Sequence, residues 1–194
     1  MRGRTGNILI GMLMFLLASV GHAATTFEQG WRAYQQQDYS RALALWLPLA
    51  QEGHAQTQNN VGMVYLRSRD KGRDYAKAAQ WFRRAAAQGN PHAQTSLGSL
   101  YAQGLGVERD YFRAFEWFYE AARQGYPQAQ YNLGQMYLEG LAVSADDVKA
   151  MQWYRRAASQ GHGQARDAVK ALLEHGRGIK RLPYAKDSRW SKFG

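Results

Sequence analysis

The residues of this chain with the right types for chemistry are its histidines, its aspartates and one glycine pair, and their spacing argues against each. His54, His92, His162 and His175 stand at no metal-ligand spacing to one another or to acids on one helical turn. Asp38, Asp74, Asp110 and Asp146 recur every 36 residues, a regularity that belongs to scaffolding rather than to an acid–base pair. Gly104-Leu105-Gly106 looks like part of a phosphate-binding loop, but it falls between two expected helices, where such a loop needs a strand before it. Neither G-x-S-x-G nor H-E-x-x-H occurs, and the absence of cysteine excludes thiol nucleophiles, disulfides and Cys-ligated zinc. No catalytic residue, metal ligand or cofactor is assigned, and the chain reads as non-enzymatic.

The elements that place these residues are repeats. Asp110 to Gly125 reads DYFRAFEWFYEAARQG; 36 positions earlier stands DYAKAAQWFRRAAAQG, 36 later DDVKAMQWYRRAASQG, and a degenerate copy runs from Asp38 to Gly53. Fixed self-similarity of this length marks an array of identical supersecondary units. In each copy small and aromatic residues fall at i, i+3, i+4, i+7, as Ala78, Trp81, Phe82, Ala85, then Ala114, Trp117, Phe118, Ala121, then Ala150, Trp153, Tyr154, Ala157. That is one face of a helix, and both aromatics of each pair are expected in the core. The aspartates suit helix N-caps, and Gly53, Gly89, Gly125 and Gly161 suit left-handed C-terminal stops. A second helix precedes each of the three later copies, marked by Gly62, Gly98 and Gly134 and by Tyr65, Tyr101 and Tyr137. Mid-helix glycine costs roughly 0.5–1 kcal/mol against alanine, so its recurrence predicts close helix crossings. Thr25-Thr26-Phe27-Glu28 has the form of a capping box, opening a first helix to about Gln36, and Pro48 is expected inside the second.

With 45% hydrophobic and 21% charged residues the chain is long enough, and apolar enough, for one domain with a sizeable core. At its start Arg2 and Arg4, the apolar run Ile8 to Val20 and the small residues around Ala23 have the pattern of a signal peptide, residues 1–23. The run is shorter than the roughly 20 residues a membrane-spanning helix needs. The expected product is periplasmic or secreted, without stable membrane insertion once the segment is cleaved.

The combination A-x-x-x-L-G-x-x-Y, G-x-G-V-x-x-D and A-x-x-W-F/Y-x-x-A-A-x-x-G resembles the Sel-1-like repeat, a relative of the tetratricopeptide repeat. The copy from Ala93 through Leu97, Gly98, Tyr101, Gly104, Gly106, Val107, Asp110, Ala114, Trp117 and Phe118 to Gly125 carries all of it. The resemblance implies an all-α fold, a right-handed α-solenoid of helix-turn-helix repeats, over residues 24–176. Its units are 55–90, 91–126, 127–162 and a capping helix at 163–176, after a shorter tetratricopeptide-like unit at 26–54. It also implies a protein-binding role without chemistry, often in the bacterial cell envelope. Three departures stand out: Ser68-Arg69-Asp70-Lys71 in place of the G-L-G-V loop, Ala142 in place of the second loop glycine, and Lys170 in the register of Gly134.

In such arrays the first helix of each pair lines a concave groove. The groove candidates are Phe27, Trp31, Tyr34 and Gln35; Asn59, Met63, Leu66 and Arg67; Thr95, Ser99, Ala102 and Gln103; and Tyr131, Gln135, Leu138 and Glu139. Leu66, Ala102 and Leu138 form an apolar ladder among polar neighbours, suited to an extended segment or a helix of an envelope or periplasmic protein. A second candidate surface is the basic cluster Arg67, Arg69, Lys71, Arg73 and Lys77, together with the basic tail 177–194. In a chain of net charge +10 it suits an anionic envelope polymer such as peptidoglycan or lipopolysaccharide. Nucleic acid is not expected as a partner, because the aromatics fall in the core register rather than on a stacking platform.

Overall fold

The computed structural model describes residues 25–68 and 73–176, in two compact units divided at Arg109/Asp110. The expected signal segment, Arg69, Lys71 and the C-terminal tail lie outside the described residues. The first unit holds α1 (25–35), α2 (Tyr39–Gln51), α3 (Ala55–Arg67), α4 (Tyr75–Ala87) and α5 (Pro91–Gln103). The second holds α6 (Tyr111–Arg123), α7 (Pro127–Glu139), α8 (Asp147–Ser159) and α9 (Gly163–Glu174). The described residues contain no strand. Within each unit successive helices pack on one another, α2 to α5 in the first and α6 to α9 in the second. The fold is an all-α repeat solenoid.

The helix boundaries follow from the punctuation residues. Asp38, Asp74, Asp110 and Asp146 each accept the N–H three residues on, from Arg41, Lys77, Arg113 and Lys149, at 2.8–3.0 Å. Gly53, Gly89, Gly125 and Gly161 stop the same helices at positive φ. Pro48 lies within α2, which continues through it to Gln51.

Helix pairs close where a ring meets a glycine. A Cβ on Gly62 would lie 2.7 Å from the Phe82 ring, and one on Gly30 or Gly134 would overlap the ring of Trp46 or Tyr154. These three rings are buried, and alanines at the flanking turns let the backbones approach. The expectation that both aromatics of each pair are core residues is corrected here. Trp81, Trp117 and Trp153 are only partly buried, and the guanidinium groups of Arg84 and Arg156 lie 4.5 Å above the rings of Trp81 and Trp153. One position along a helix turns a side chain by about 100°, so only the second aromatic points at the facing glycine. The first is left at the rim, where a cation can stack on it.

A buried polar set escaped the sequence reading. Gln58, Gln94 and Gln130, 36 residues apart, lie inside the fold, and each amide Nε2 donates to a carbonyl near the end of the preceding helix: Ala50, Ala86 and Ala122. The Gln58 and Gln130 side-chain carbonyls in turn accept from Gln88 and Gln160, at 2.7 and 2.9 Å. Last-turn carbonyls have no partner within their own helix, so these amides satisfy groups that burial would otherwise leave unpaired. A parallel joint links Asn90 to Gln56 and, two repeats on, His162 to Gln128. His162 also caps α9 by accepting the Ala165 N–H at Nδ1. It is therefore a structural joint and not merely a polar surface residue.

Between the helices of a repeat the chain is locked in the same way in both units. The N–H groups of Asp74 and Asp146 donate to the carbonyls of Tyr65 and Tyr137. The ammonium groups of Lys77 and Lys149 pair with those aspartates at 3.1 and 3.4 Å, and lie 5.5 and 5.3 Å from the centroids of the same tyrosine rings. In the third repeat the loop does further work: a Cβ on Gly106, at φ +68°, would run into the backbone of Tyr75 and Ala76 at the start of α4. Ala142 stands at the matching register and keeps φ +62°, so a residue with a side chain is held in the left-handed region there.

Two outcomes follow for stability. Gly106→Ala meets both a left-handed backbone and fixed neighbouring backbone, and is expected to lose about 2–4 kcal/mol in urea unfolding. Ala142→Gly relieves about 1–2 kcal/mol of backbone strain against a smaller entropic cost, for a net gain of roughly 0.5–1 kcal/mol; a loss there would contradict the strain. The carboxyls of Asp74 and Asp146 are held below the usual aspartate value, chiefly by the backbone N–H groups of Lys77 and Lys149. A depressed folded-state pKa contributes stability that is full above the unfolded value near 3.9 and is lost as pH falls through the folded value. Melting temperature is therefore expected to drop below about pH 4, and the double variant Asp74→Asn, Asp146→Asn to flatten that drop.

Candidate partner-binding surface

In the first unit five of the groove candidates, Gln35 among them, come together. Trp31 and Tyr34 near the end of α1, and Leu66 and Arg67 near the end of α3, line one cleft of about 750 Å³ with Gln35, Gln37, Tyr39 and Arg73. The cleft exists because the α1–α2 connection is short. Gln37 takes a left-handed φ of +62°, the Asp38 N–H returns to the Ala33 carbonyl, and Tyr39 is carried back against Tyr34, with ring centroids 5.7 Å apart. Trp31 is stacked on Tyr34 at 5.5 Å and is 44% exposed, so an apolar face is left toward solvent. Beneath them Trp46 is fully buried, with its indole N–H donating to the Phe27 carbonyl at 3.1 Å. Phe27 itself packs against this core.

The charge in the cleft comes from Arg67 and Arg73. The Arg67 guanidinium lies 5.8 Å from the centre of the Tyr34 ring, and Arg73 donates to the Tyr75 hydroxyl at 3.3 Å. Burial raises the pKa of the Tyr34 hydroxyl above the usual tyrosine value, and the nearby Arg67 charge opposes that shift. Among the described residues Oδ1 of Asn59 and Nδ2 of Asn60 on α3 are buried without a hydrogen-bond partner. Among the described residues no Asp or Glu lines the cleft.

The remaining candidates fare differently. Asn59 and Thr95 are buried and do not form an open surface; the Thr95 hydroxyl is spent on the Pro91 carbonyl at 2.8 Å. Ser99 likewise donates to the Thr95 carbonyl, leaving Met63 and Ala102 partly exposed and Gln103 exposed. In the second unit Tyr131 stacks on His162, with centroids 5.0 Å apart, and leans on the buried Tyr154. Gln135 is partly exposed and Glu139 exposed, while Leu138 packs against the core around Met151 and Tyr154. Leu138 is thus partly a core residue and not a free rung of an apolar ladder. Burial, with Tyr131 and Glu139 nearby, raises the pKa of the Tyr154 hydroxyl well above the usual tyrosine value.

The basic cluster is also reduced. Lys77 is engaged by Asp74 and Tyr65 and belongs to the lock between α3 and α4, so Arg67 and Arg73 are its described members that face the cleft. Gln37 and Tyr39 were missed by sequence reasoning, although the short Gly30-to-Asp38 spacing was a signal that the first connection differs. Among the described residues no group of three His, Asp or Glu side chains is arranged to hold a metal ion, and no helix is long and apolar enough to cross a membrane.

The repeat geometry has counterparts among known proteins. The Sel1 repeat model matches residues 14–54, 55–90, 91–126 and 127–162, so the first match begins earlier than the unit read from residue 26. A protective antigen of uropathogenic Escherichia coli with an SLR fold, c5321, is 32% identical with a TM-score of 0.77, over 88% of this chain and 37% of that one. A Sel1 repeat protein from Oxalobacter formigenes is 31% identical with a TM-score of 0.73, over 80% of this chain and 64% of that one. Helicobacter pylori cysteine-rich protein B, at 16% identity and a TM-score of 0.54, shares the fold over 68% of this chain and 94% of its own. This chain therefore spans less than two thirds of the two more similar structures. Among curated proteins none matches its sequence. Four consecutive family matches over most of the chain show that it belongs to the Sel1 repeat family, whose repeats generally mediate protein–protein interaction and typically form non-enzymatic scaffolds.

Proposed function

We propose that this protein is a non-enzymatic adaptor of the cell envelope, exported by its N-terminal segment, which holds a segment of a partner protein in the cleft of its first unit. The observation that carries this reading is the convergence of Trp31, Tyr34, Leu66 and Arg67 on one open cleft. Tryptophan, tyrosine and arginine are the residue types enriched among those that dominate binding energy at protein interfaces. Export is supported by the sequence pattern of residues 1–23 and adaptor function by membership of a family of interaction scaffolds. A photo-crosslinking residue in place of Trp31 or Leu66, in intact cells, is expected to give one discrete protein adduct, and the same residue at exposed Lys170 none. Equal labelling from all three positions would end this reading. Intact-mass measurement of the purified protein is expected to give Ala24 as the mature N-terminus; retention of Met1 in the secreted fraction would overturn export by a cleaved signal.

A further inference from the structure

The cleft carries more than a position, because its chemistry is one-sided. Among the described residues its charged groups are two guanidiniums, Arg67 and Arg73, and no acid lines it. Neither arginine has an ion pair among the described residues, whereas Lys77, Arg113 and Lys149 are each bound to the aspartate three residues before them. Among the described residues the cations that serve as locks are thus neutralised, and these two have no counter-charge. Beside them lie an exposed indole face, a half-buried leucine and two neutral glutamine amides. The cleft is open to solvent, and its volume, about 750 Å³, is enough to take a short peptide segment.

From this, and resting on the adaptor reading, we infer that the first-unit cleft recognises an acidic segment of its partner: an extended stretch in which an internal Asp or Glu side chain meets Arg67 and Arg73 while a neighbouring large apolar side chain lies on Trp31. Guanidinium suits this task because its planar fork of donors matches a carboxylate, giving two parallel hydrogen bonds where an ammonium gives a point charge. Trp31 contributes apolar area with little conformational freedom to lose, since stacking on Tyr34 already holds it. Gln35 and Gln37 offer donors and acceptors to the backbone of an extended chain.

Other features of the molecule lead less far. The aromatic band of the second unit, where Phe115 stacks on Tyr119 and Tyr119 meets Trp153 edge-on, has Arg123 and Arg156 over its rings, and nothing there selects an occupant.

The test uses the full mature chain and fluorescein-labelled octapeptides with blocked termini, which removes the terminal carboxylate as a source of charge. Alternating Leu-Glu is expected to bind saturably by fluorescence anisotropy, and alternating Leu-Gln at least tenfold more weakly. The double variant Arg67→Gln, Arg73→Gln is expected to bind the acidic peptide at least tenfold more weakly, and Trp31→Ala at least fivefold, with melting temperatures unchanged to show that each variant is folded. Raising NaCl from 50 to 500 mM is expected to weaken binding by a similar factor, since exposed charges are screened within about 10 Å at 0.1 M salt. Equal binding of the Leu-Glu and Leu-Gln peptides, or an unaffected arginine double variant, overturns the inference. So does competition by heparin at least as strong as by unlabelled acidic peptide at equal charge, which would mark a site for polyanions of any kind. A partner crosslinked at Trp31 whose capture is indifferent to the arginine variants keeps the adaptor reading and removes only this one.

Discussion

Everything described in this protein hangs on an aromatic ring seated where a side chain is missing. Phe82 over Gly62 and Tyr154 over Gly134 set the separation of α3 from α4 and of α7 from α8, the most extensive helix contacts of their units. Trp46 over Gly30 repeats the arrangement at the entrance of the array with a larger ring. A glycine in a helix is a local cost that is offset only if a neighbour fills the space, so ring and glycine must be chosen together. The consequence reaches the surface. With the second aromatic consumed by packing, the tryptophan before it is left at the rim, and the residues that line the first-unit cleft come from the ends of α1 and α3 instead.

The polar interior completes the same plan. Buried glutamines reach back to carbonyls at the end of the preceding helix, and a second amide reaches back to the glutamine. A buried amide with all of its groups satisfied costs little and fixes register, because sliding one helix by a turn would unpair it. The fold is thereby specified twice, once by shape and once by hydrogen bonding.

The scaffold was largely legible in the sequence because its devices are local and repeated: Asp38, Asp74, Asp110 and Asp146 cap, four glycines stop helices, and Gly62 and Gly134 stand at crossings. The tryptophans were misplaced because an i, i+3, i+4, i+7 stripe is wider than the strip a neighbouring helix can cover. Gln58, Gln94 and Gln130 were passed over although their period was visible, since a polar residue in a helical pattern is ordinarily taken as solvent-facing. For the candidate surface, the register argument found Trp31, Tyr34, Leu66 and Arg67. It failed at Asn59 and Thr95, which are buried. Gln37 and Tyr39 depend on a single left-handed residue in a turn, and a backbone angle of that kind leaves no trace in hydrophobic periodicity.

The paired joints of the two units differ in one atom type with a chemical consequence. Asn90 and His162 occupy the same place, each capping the helix that follows and reaching back to a glutamine 34 residues earlier. The amide of Asn90 offers its oxygen to the cap and its nitrogen to Gln56 at any ordinary acidity. The imidazole of His162 accepts the Ala165 N–H at Nδ1, so its hydrogen sits on Nε2 and is donated to Gln128. Its two contacts are thereby tied to one tautomer of one rigid ring, whereas the Asn90 amide makes them with an oxygen and a nitrogen whose roles never exchange.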